Sequence, residues 1–363
     1  FGQCGGCSLQ HLDAGEQIRA KHNTLVQNLE RIGKVTPAEW WEPITGPLWQ
    51  YRRKARLSVR YVHKKERVLV GFRERYGRFV ADMNECHVLD ARIAQQIPEL
   101  SKLIHSMEAA STIPQLEVAC GDDDCALVVR HLEPLSEPDL ELLRNFARQS
   151  GIAILLQPKG PDTITCLEPA SLELTYRIPE FGIEMAFEAS DFVQVNAEIN
   201  QKMIARAIEL LNPGEGDRVL DLFCGLGNFT LPIATRAGEV IGVEGEPSLV
   251  RRAQANAKRN QLDRAHFFSA DLNLEPGAAP WLRDSFDKVL VDPPRSGAEF
   301  ILPHIAASGA RRVVYVSCHP ASLARDAGIL VHDHGFSLLG AGVMDMFPHT
   351  GHVESIALFE RKV

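Results

Sequence analysis

The chain has 363 residues, 45% of them hydrophobic and 24% charged, which is enough to bury a full core and build two or more domains. A net charge of −8 argues against nucleic-acid binding over the whole surface. No apolar run approaches the length of a membrane span, and the start lacks the basic-then-apolar layout of a signal peptide. Eight cysteines are too few for a disulfide scaffold in a chain this long; their clustering suggests metal binding or catalysis in a reducing cytoplasm. The chain opens at Phe1 rather than Met, so a true beginning further upstream is expected.

Cys4-Gly5-Gly6-Cys7 leads into a helical stretch from about Leu12 to Gly33, with Ile18, Leu25, Leu29 and Ile32 mostly at helical spacing. Residues 34–50 hold Pro37, Pro43, Pro47 and three tryptophans and read as an irregular connection. Residues 55–81 alternate as strands, as in Arg56-Leu57-Ser58-Val59-Arg60-Tyr61-Val62. A helix is expected over 90–107 and another at 137–150, with strands at 115–120, 125–130, 152–156 and 163–167. This first half reads as an α+β domain.

From about Ala189 strands and helices alternate. Strands are expected at 218–223, 239–243, 265–268, 287–291 and 312–317, with helices at 197–211, 228–236, 247–260 and 299–308. That rhythm predicts a doubly wound parallel sheet. Strands at 336–341 and 353–360 have no helix between them and should pair as an antiparallel hairpin. The expected division is therefore 1–188 and 189–363.

Charge is unevenly spread. Residues 51–80 carry eleven Lys and Arg against Glu66 and Glu74, leaving 28 bases against 45 acids elsewhere. Tyr51, Tyr61, Phe72, Tyr76 and Phe79 are interleaved with Arg52, Arg53, Lys54 and the other bases. Such a segment can stack bases and track phosphates, or be an ordinary solvated hairpin.

Asp221-Leu222-Phe223-Cys224-Gly225-Leu226-Gly227-Asn228 is a strand running into a Gly-rich turn. Glu244 ends the next strand about twenty residues on, where a carboxylate can hold a ribose diol. Asp271 ends the third strand and suits an adenine amino group; Asp292-Pro293-Pro294-Arg295 closes another. The loop lacks the third glycine of a dinucleotide-binding fingerprint. With the final hairpin, the set fits S-adenosylmethionine better than NAD. Cys318 ends the β-branched run Val313-Val314-Tyr315-Val316-Ser317, which puts a thiol at the mouth of the sheet beside that cofactor site. Cys224 reads as a small packing residue.

These motifs resemble the RNA 5-methyluridine methyltransferases, and within them the 23S ribosomal RNA uracil-C5 enzymes that carry an iron–sulfur cluster. The resemblance spans the chain. It rests on Phe1-Gly2-Gln3-Cys4-Gly5-Gly6-Cys7, Cys86-His87-Val88-Leu89, Phe192-Val193-Gln194-Val195-Asn196 and the Asp221, Asp292 and Ser317-Cys318-His319-Pro320 segments. The most specific motif is Asp345-Met346-Phe347-Pro348-His349-Thr350-Gly351-His352-Val353-Glu354. The resemblance implies cofactor contacts at Gln194, Phe223, Asn228, Glu244, Asp271 and Asp292, a nucleophile at Cys318 and a general base at Glu354. The chemistry agrees: a thiolate adding to C6 makes C5 nucleophilic, and a separate base must then remove the C5 proton. Asp-Pro-Pro also occurs in amino-group methyltransferases, followed by an aromatic residue; here Arg295 takes that place, which favours carbon methylation.

By residue type alone, Cys4, Cys7 and Cys86 could bind zinc, an iron–sulfur cluster or nothing. The resemblance implies a [4Fe-4S] cluster whose fourth ligand precedes Phe1. Cys120, Cys125 and Cys166 read as core. The radical-methylase spacing Cys-x3-Cys-x2-Cys is absent, which leaves the cluster a structural or RNA-contacting role. The resemblance also implies an N-terminal TRAM barrel outside this chain, and packing of residues 10–41 on the catalytic domain. The expected protein is a cytoplasmic monomer acting on 23S ribosomal RNA. A tRNA uracil-C5 methyltransferase and a non-catalytic ribosome-assembly factor are the alternatives.

Overall fold

The computed structural model describes residues 2–272, 274, 280–283 and 285–361. Its contacts divide the chain into two compact units, one of Phe1–Leu12, Pro47–Tyr176 and Ala186–Ala197, the other of Asp13–Gly46, Arg177–Met185 and Glu198–Val363. The chain passes between them repeatedly, whereas the sequence reading set one boundary after residue 188 together with packing of residues 10–41 on the catalytic domain. Asp13–Gly46 joins the second unit, and Ala186–Ala197 belongs to the first.

Helix α1 (Ala14–Asn28) belongs to the second unit; Asp13 caps it by accepting from Gly15 N, and a π-helical turn at Leu29–Gly33 extends it. Strand β1 (Glu39–Trp40) follows, inside the stretch that sequence marked as irregular.

The first unit then builds β2 (Lys54–Val62), β3 (Arg67–Gly71), α2 (Ala91–Ala94), α3 (Ile97–His105), β4 (Gln115–Cys120), β5 (Cys125–Arg130), α4 (Glu137–Ser150), β6 (Ala153–Gln157) and β7 (Thr165–Glu168). The strands order as β3-β2-β4-β5-β6-β7. Leu57 and Val59 face a core with Val118, Leu127, Ile93 and Ile104, while Arg56 and Arg60 on the opposite face of β2 reach solvent. The helix expected over 90–107 is two helices, because Pro98 begins a new one. A two-stranded hairpin, β8 (Leu174–Ile178) and β9 (Ile183–Phe187), lies where the chain changes unit; it carried no signal read from the sequence.

The second unit continues with α5 (Ala197–Leu211), β10 (Arg218–Leu222), α6 (Thr230–Ala234), β11 (Glu239–Glu244), α7 (Pro247–Arg259), β12 (Ala265–Ser269) and β13 (Lys288–Val291). It ends with α8 (Leu302–Ala307), β14 (Arg312–Ser317), α9 (Pro320–His332), β15 (Ser337–Met344) and β16 (Glu354–Glu360). The sheet runs β1-β15-β16-β14-β13-β10-β11-β12, parallel from β14 to β12. The expected final hairpin is present, with β16 antiparallel between β14 and β15. Helix α9 is an addition to the sequence reading; Pro320 opens it and the His319 ring accepts from Ser322 N. Central strands are buried on both faces, hence their unbroken runs of Val, Leu and Ile.

Candidate active site and cysteine cavity

The carboxyl ends of β10, β11, β13 and β14 converge on one edge of the second unit's sheet, where open α/β folds bind ligands. After β10 the chain turns sharply: Phe223, Gly225 and Gly227 all take positive φ, at 63°, 54° and 91°. For Gly225 and Gly227 that conformation is easy; for Phe223 it is held by the surroundings. Glu244 at the end of β11 fixes the turn, one carboxylate oxygen accepting from Gly225 N at 3.0 Å and the other from Glu246 N at 3.0 Å. Asn228 is held by reciprocal amide bonds to buried Asn200, at 2.9 and 3.1 Å. Asp271 is exposed, two residues beyond β12. Phe223, Asn228, Glu244, Asp271 and Asp292 thus all belong to one unit. Gln194 belongs to the other, where its carbonyl accepts from Arg53 Nε at 2.7 Å. Cys224 is buried beneath the turn, and burial pushes its thiol well above the ordinary range.

Below this turn Asp221 is fully buried; desolvation pushes its carboxyl up to about 8, against a hydrogen bond donated by Thr230. Asp292 keeps part of its surface in solvent, yet the protein around it desolvates the carboxyl and pushes it up to about 7.

Cys318 follows the last residue of β14 and Glu354 opens β16. Since Ser317 pairs with Ser355, the next residues out are opposite one another. Cys318 is half-buried and Glu354 is 3% exposed. Burial pushes the Cys318 thiol up to about 11, helped by the negative charges of Glu354 and Asp292 and opposed by Arg295. Burial likewise drives the Glu354 carboxyl well above the usual range, Asp292 adding to it and Arg295 opposing. Arg295 is exposed and reaches His352 Nδ1 at 3.0 Å, and the His352 ring lies 5.2 Å from that of Phe347. A thiol, an acid and the Arg295 guanidinium form a site suited to covalent addition followed by proton removal.

Two residues that sequence reasoning passed over also reach this region. Gln17 and Lys21 of α1 are buried and bonded to His349 and Asp345, in the loop before Glu354. Their spacing of four, continued by buried Leu25, was the available signal. The apolar reading of α1 rightly named Leu25 and Leu29, both fully buried, but Ile32 is 49% exposed, and the polar part of the buried face at Gln17 and Lys21 went unmarked.

In the first unit, Cys4, Cys7 and Cys86 line one cavity of about 420 Å³, with Gln3, Met83 and His87. Burial pushes the Cys7 thiol up to about 11, with Cys86 and Cys4 adding and Arg52 opposing. Among the described residues, the donors lying within 4.8 Å of one another are Asp90, Cys120 and Cys125; the three cavity cysteines stand wider apart. Cys120 and Cys125, read as core, are buried and joined as a disulfide across the β4–β5 pair. Cys166 departs from the core reading: it is half-buried at β7, its Sγ 3.0 Å from Pro169 O.

The basic segment divides in two. Arg53 is buried over the Tyr176 ring, and Lys54 donates to Ala189 O, so neither offers a free cation. Lys65 and Arg67 pair with Asp82, and Arg56 with Glu117. Arg73, Arg75 and Arg78 are exposed with no carboxylate partner among the described residues. They flank Tyr76, 91% exposed, and Phe79, 64% exposed. This loop is tied to the cysteine segment by Gly5 N→Arg73 O and Arg75 N→Gln3 O, at 2.8 and 2.9 Å.

Comparison with known proteins bears directly on this arrangement. The family described as tRNA (Uracil-5-)-methyltransferase matches residues 16–273 and 282–362. A relative from Xanthomonas axonopodis pv. citri, named 23S rRNA (uracil(1939)-C(5))-methyltransferase RlmD, is 54% identical over all of this chain and 82% of its own length. One of the same name from Stenotrophomonas maltophilia is 53% identical over the same shares. Among solved structures, the Pyrococcus abyssi tRNA (uracil-54, C5)-methyltransferase in complex with S-adenosyl-L-homocysteine aligns with a TM-score of 0.73. It covers 99% of this chain and 86% of that one at 22% identity, a likeness of fold.

Proposed function

The chain belongs to the tRNA (uracil-5-)-methyltransferase family, and from that premise we propose that it transfers a methyl group from S-adenosylmethionine to C5 of a uridine in 23S ribosomal RNA. Full-length identity of 54% to relatives named for uracil 1939 of 23S rRNA supports the ribosomal substrate over tRNA, and points to the equivalent uridine. The observation that carries the reaction type is the cross-strand placement of Cys318 and Glu354 beside Asp292.

The fit to the cofactor rests on the donor set. The positive-φ turn Phe223–Gly227 leaves room close to the backbone, Glu244 can receive a ribose diol, and Asp271 an amino group. Asn228 and Asp292 complete the proposed contacts of this unit; Gln194 stays a candidate from sequence alone. Bound there, S-adenosylmethionine would supply an electrophilic methyl group. Cys318 thiolate adds to uracil C6, and the C5=C6 electron pair shifts to an enolate at O4. The enolate collapses to the C4 carbonyl as C5 takes the methyl, and the methyl–sulfonium bond breaks with its electron pair left on the cofactor sulfur. Glu354 carboxylate removes the C5 proton, the C–H electrons reform C5=C6, and the Cys318 sulfur leaves with its pair. Burial raises both groups in the resting site, so the positive charge of the incoming cofactor and the bound substrate must favour the thiolate and carboxylate.

Cys4, Cys7 and Cys86 are proposed to hold a [4Fe-4S] cluster. Three thiolates around one cavity suit zinc or iron–sulfur. The likeness of the Cys4-Gly5-Gly6-Cys7 and Cys86 segments to those of the cluster-bearing 23S enzymes favours the cluster. Its proposed role is to brace the Arg73–Phe79 loop, which we read as an RNA contact.

Methyl transfer from labelled cofactor to separate 23S rRNA and tRNA, with identification of the product nucleoside, tests the reading. Label recovered as 5-methyluridine in ribosomal RNA is expected. Label in tRNA alone would overturn the substrate.

A further inference from the structure

We propose that Gln17 and Lys21 are positioning residues of the catalytic site, clamping from α1 the loop Asp345–His352 that leads into Glu354. The inference rests on the cysteine–glutamate mechanism proposed above and adds to it a device no motif marks.

Lys21 Nζ donates to Asp345 Oδ1 at 2.6 Å and to Phe347 O at 2.9 Å. Gln17 Oε1 accepts from His349 N at 2.8 Å, and its Nε2 meets His349 Nδ1 at 3.2 Å. Gln17, Lys21 and Asp345 are 1%, 2% and 2% exposed. A fifth anchor comes from the same N-terminal segment: Asp345 N donates to Ile44 O at 2.8 Å.

The two strands do not need this clamp in order to pair. The ladder between β15 and β16 already runs to Met344 opposite Glu354. A buried lysine–aspartate pair is also a poor way to gain stability, since apolar residues of the same volume usually serve as well or better. What these contacts specify is the path of the loop. His349 sits at φ 66°, a left-handed conformation uncommon outside glycine. The Gln17 amide grips that residue by both backbone and ring. Downstream, the loop delivers His352 to Arg295 at 3.0 Å, and Arg295 is the cation acting on Cys318 and Glu354. A loop left unclamped frees Arg295 and loosens the wall around Glu354. Both groups lose the Arg295 charge, but only Glu354 is reached through the clamped loop, so proton removal from C5 suffers more than thiol addition.

The test compares Gln17→Leu, Gln17→Glu and the double change Lys21→Met/Asp345→Leu, the last leaving no buried charge unpaired, in full-length enzyme with labelled cofactor and an RNA fragment. Gln17→Leu and the double variant should lose about 100-fold in kcat, the scale of a small misplacement of catalytic groups. Their KM for RNA and affinity for cofactor should stay within about twofold. Both should accumulate a denaturant-stable, methylated protein–RNA complex. Gln17→Glu, which still accepts from His349 N, should recover most of the rate. Wild-type turnover in Gln17→Leu and the double variant would overturn the proposal, as would a parallel loss of cofactor binding and kcat without any complex. Glu354→Gln run alongside separates the two readings: if it traps no complex, the base assignment fails, and the split between kcat and KM alone decides the clamp.

Discussion

Cys318 and Glu354 face each other across two antiparallel strands, one residue beyond the Ser317–Ser355 pair that closes the β14–β16 ladder. Directly opposed residues point to the same side of a sheet, with Cβ atoms about 5 Å apart. Ser355 Oγ donates to Ser317 O at 3.2 Å and ties that last rung. Strand β13 lies on the other side of β14, and Asp292 follows its last residue. The proposed nucleophile and base are therefore placed by the end of a strand ladder, whereas Arg295 acts from an exposed turn.

Separate roles for the two groups predict different failures. Cys318→Ala should abolish both methyl transfer and any covalent RNA complex. Glu354→Gln should still add to C6 and methylate, then stall, with turnover down by about 1000-fold, within the range for a lost general base. Gel analysis of labelled RNA under denaturing conditions checks both. Methylation surviving in Cys318→Ala would refute the covalent route.

The pH dependence follows from the same groups. Burial and Asp292 raise the Glu354 carboxyl, so it gives up its proton only at higher pH and the rate of C5 deprotonation should climb with pH above the ordinary carboxylate range. Arg295 opposes that shift at Glu354 and at Cys318 alike. Replacing it with glutamine removes a cation that favours both ionised forms, so the rising limb of kcat should move to higher pH. A limb that stays in place or moves to lower pH would deny Arg295 an electrostatic role.

Much of the second unit could be read from sequence because a parallel sheet covered on both faces writes its strands as continuous apolar runs. Cys318 and Glu354 were legible as strand ends for the same reason. What escaped depended on distant partners. Helix α9 has a histidine cap in place of the usual serine or aspartate, and its start was absorbed into the cysteine motif. Strand β1 is two residues long and exists only because Trp40 and Glu39 pair with β15, three hundred positions away. Helix α1 buries Gln17 and Lys21 because Asp345 and His349 meet them, a face that an apolar pattern cannot mark. Arg53 and Lys54 looked like surface cations until Tyr176 and the Ala189 carbonyl were found against them.

That last finding redirects the test of RNA contact to the exposed loop. Replacing Arg73, Arg75 and Arg78 together with glutamine should weaken RNA binding and lower the salt slope by up to about 2, at roughly 0.7 per lost phosphate contact on a single strand. Tyr76→Ala should cost about 1–3 kcal/mol of RNA affinity if a base stacks on it, with little change in the slope. Cofactor affinity should hold in both. Titrations of fluorescent RNA at several salt concentrations give the answer, and an unchanged slope in the triple variant would make the loop an ordinary solvated hairpin.

The cavity cysteines make the last prediction. Cys4 and Cys7 lie some eighty residues from Cys86 in sequence, yet all three line one cavity of the first unit, with Arg52 close enough to oppose the raised Cys7 thiol. If they hold a cluster, protein prepared without oxygen should be brown and carry about four irons per chain. Cys86→Ser should bleach it. Because Gly5 and Gln3 hydrogen-bond to Arg73 and Arg75, the bleached protein should also bind RNA more weakly. Cofactor affinity in the second unit should be preserved. Metal and sulfide analysis decides the chemistry: stoichiometric zinc without iron or sulfide would replace the cluster with a tetrahedral site. Iron lost from Cys86→Ser with RNA affinity intact would keep the cluster and remove its proposed bracing of the loop.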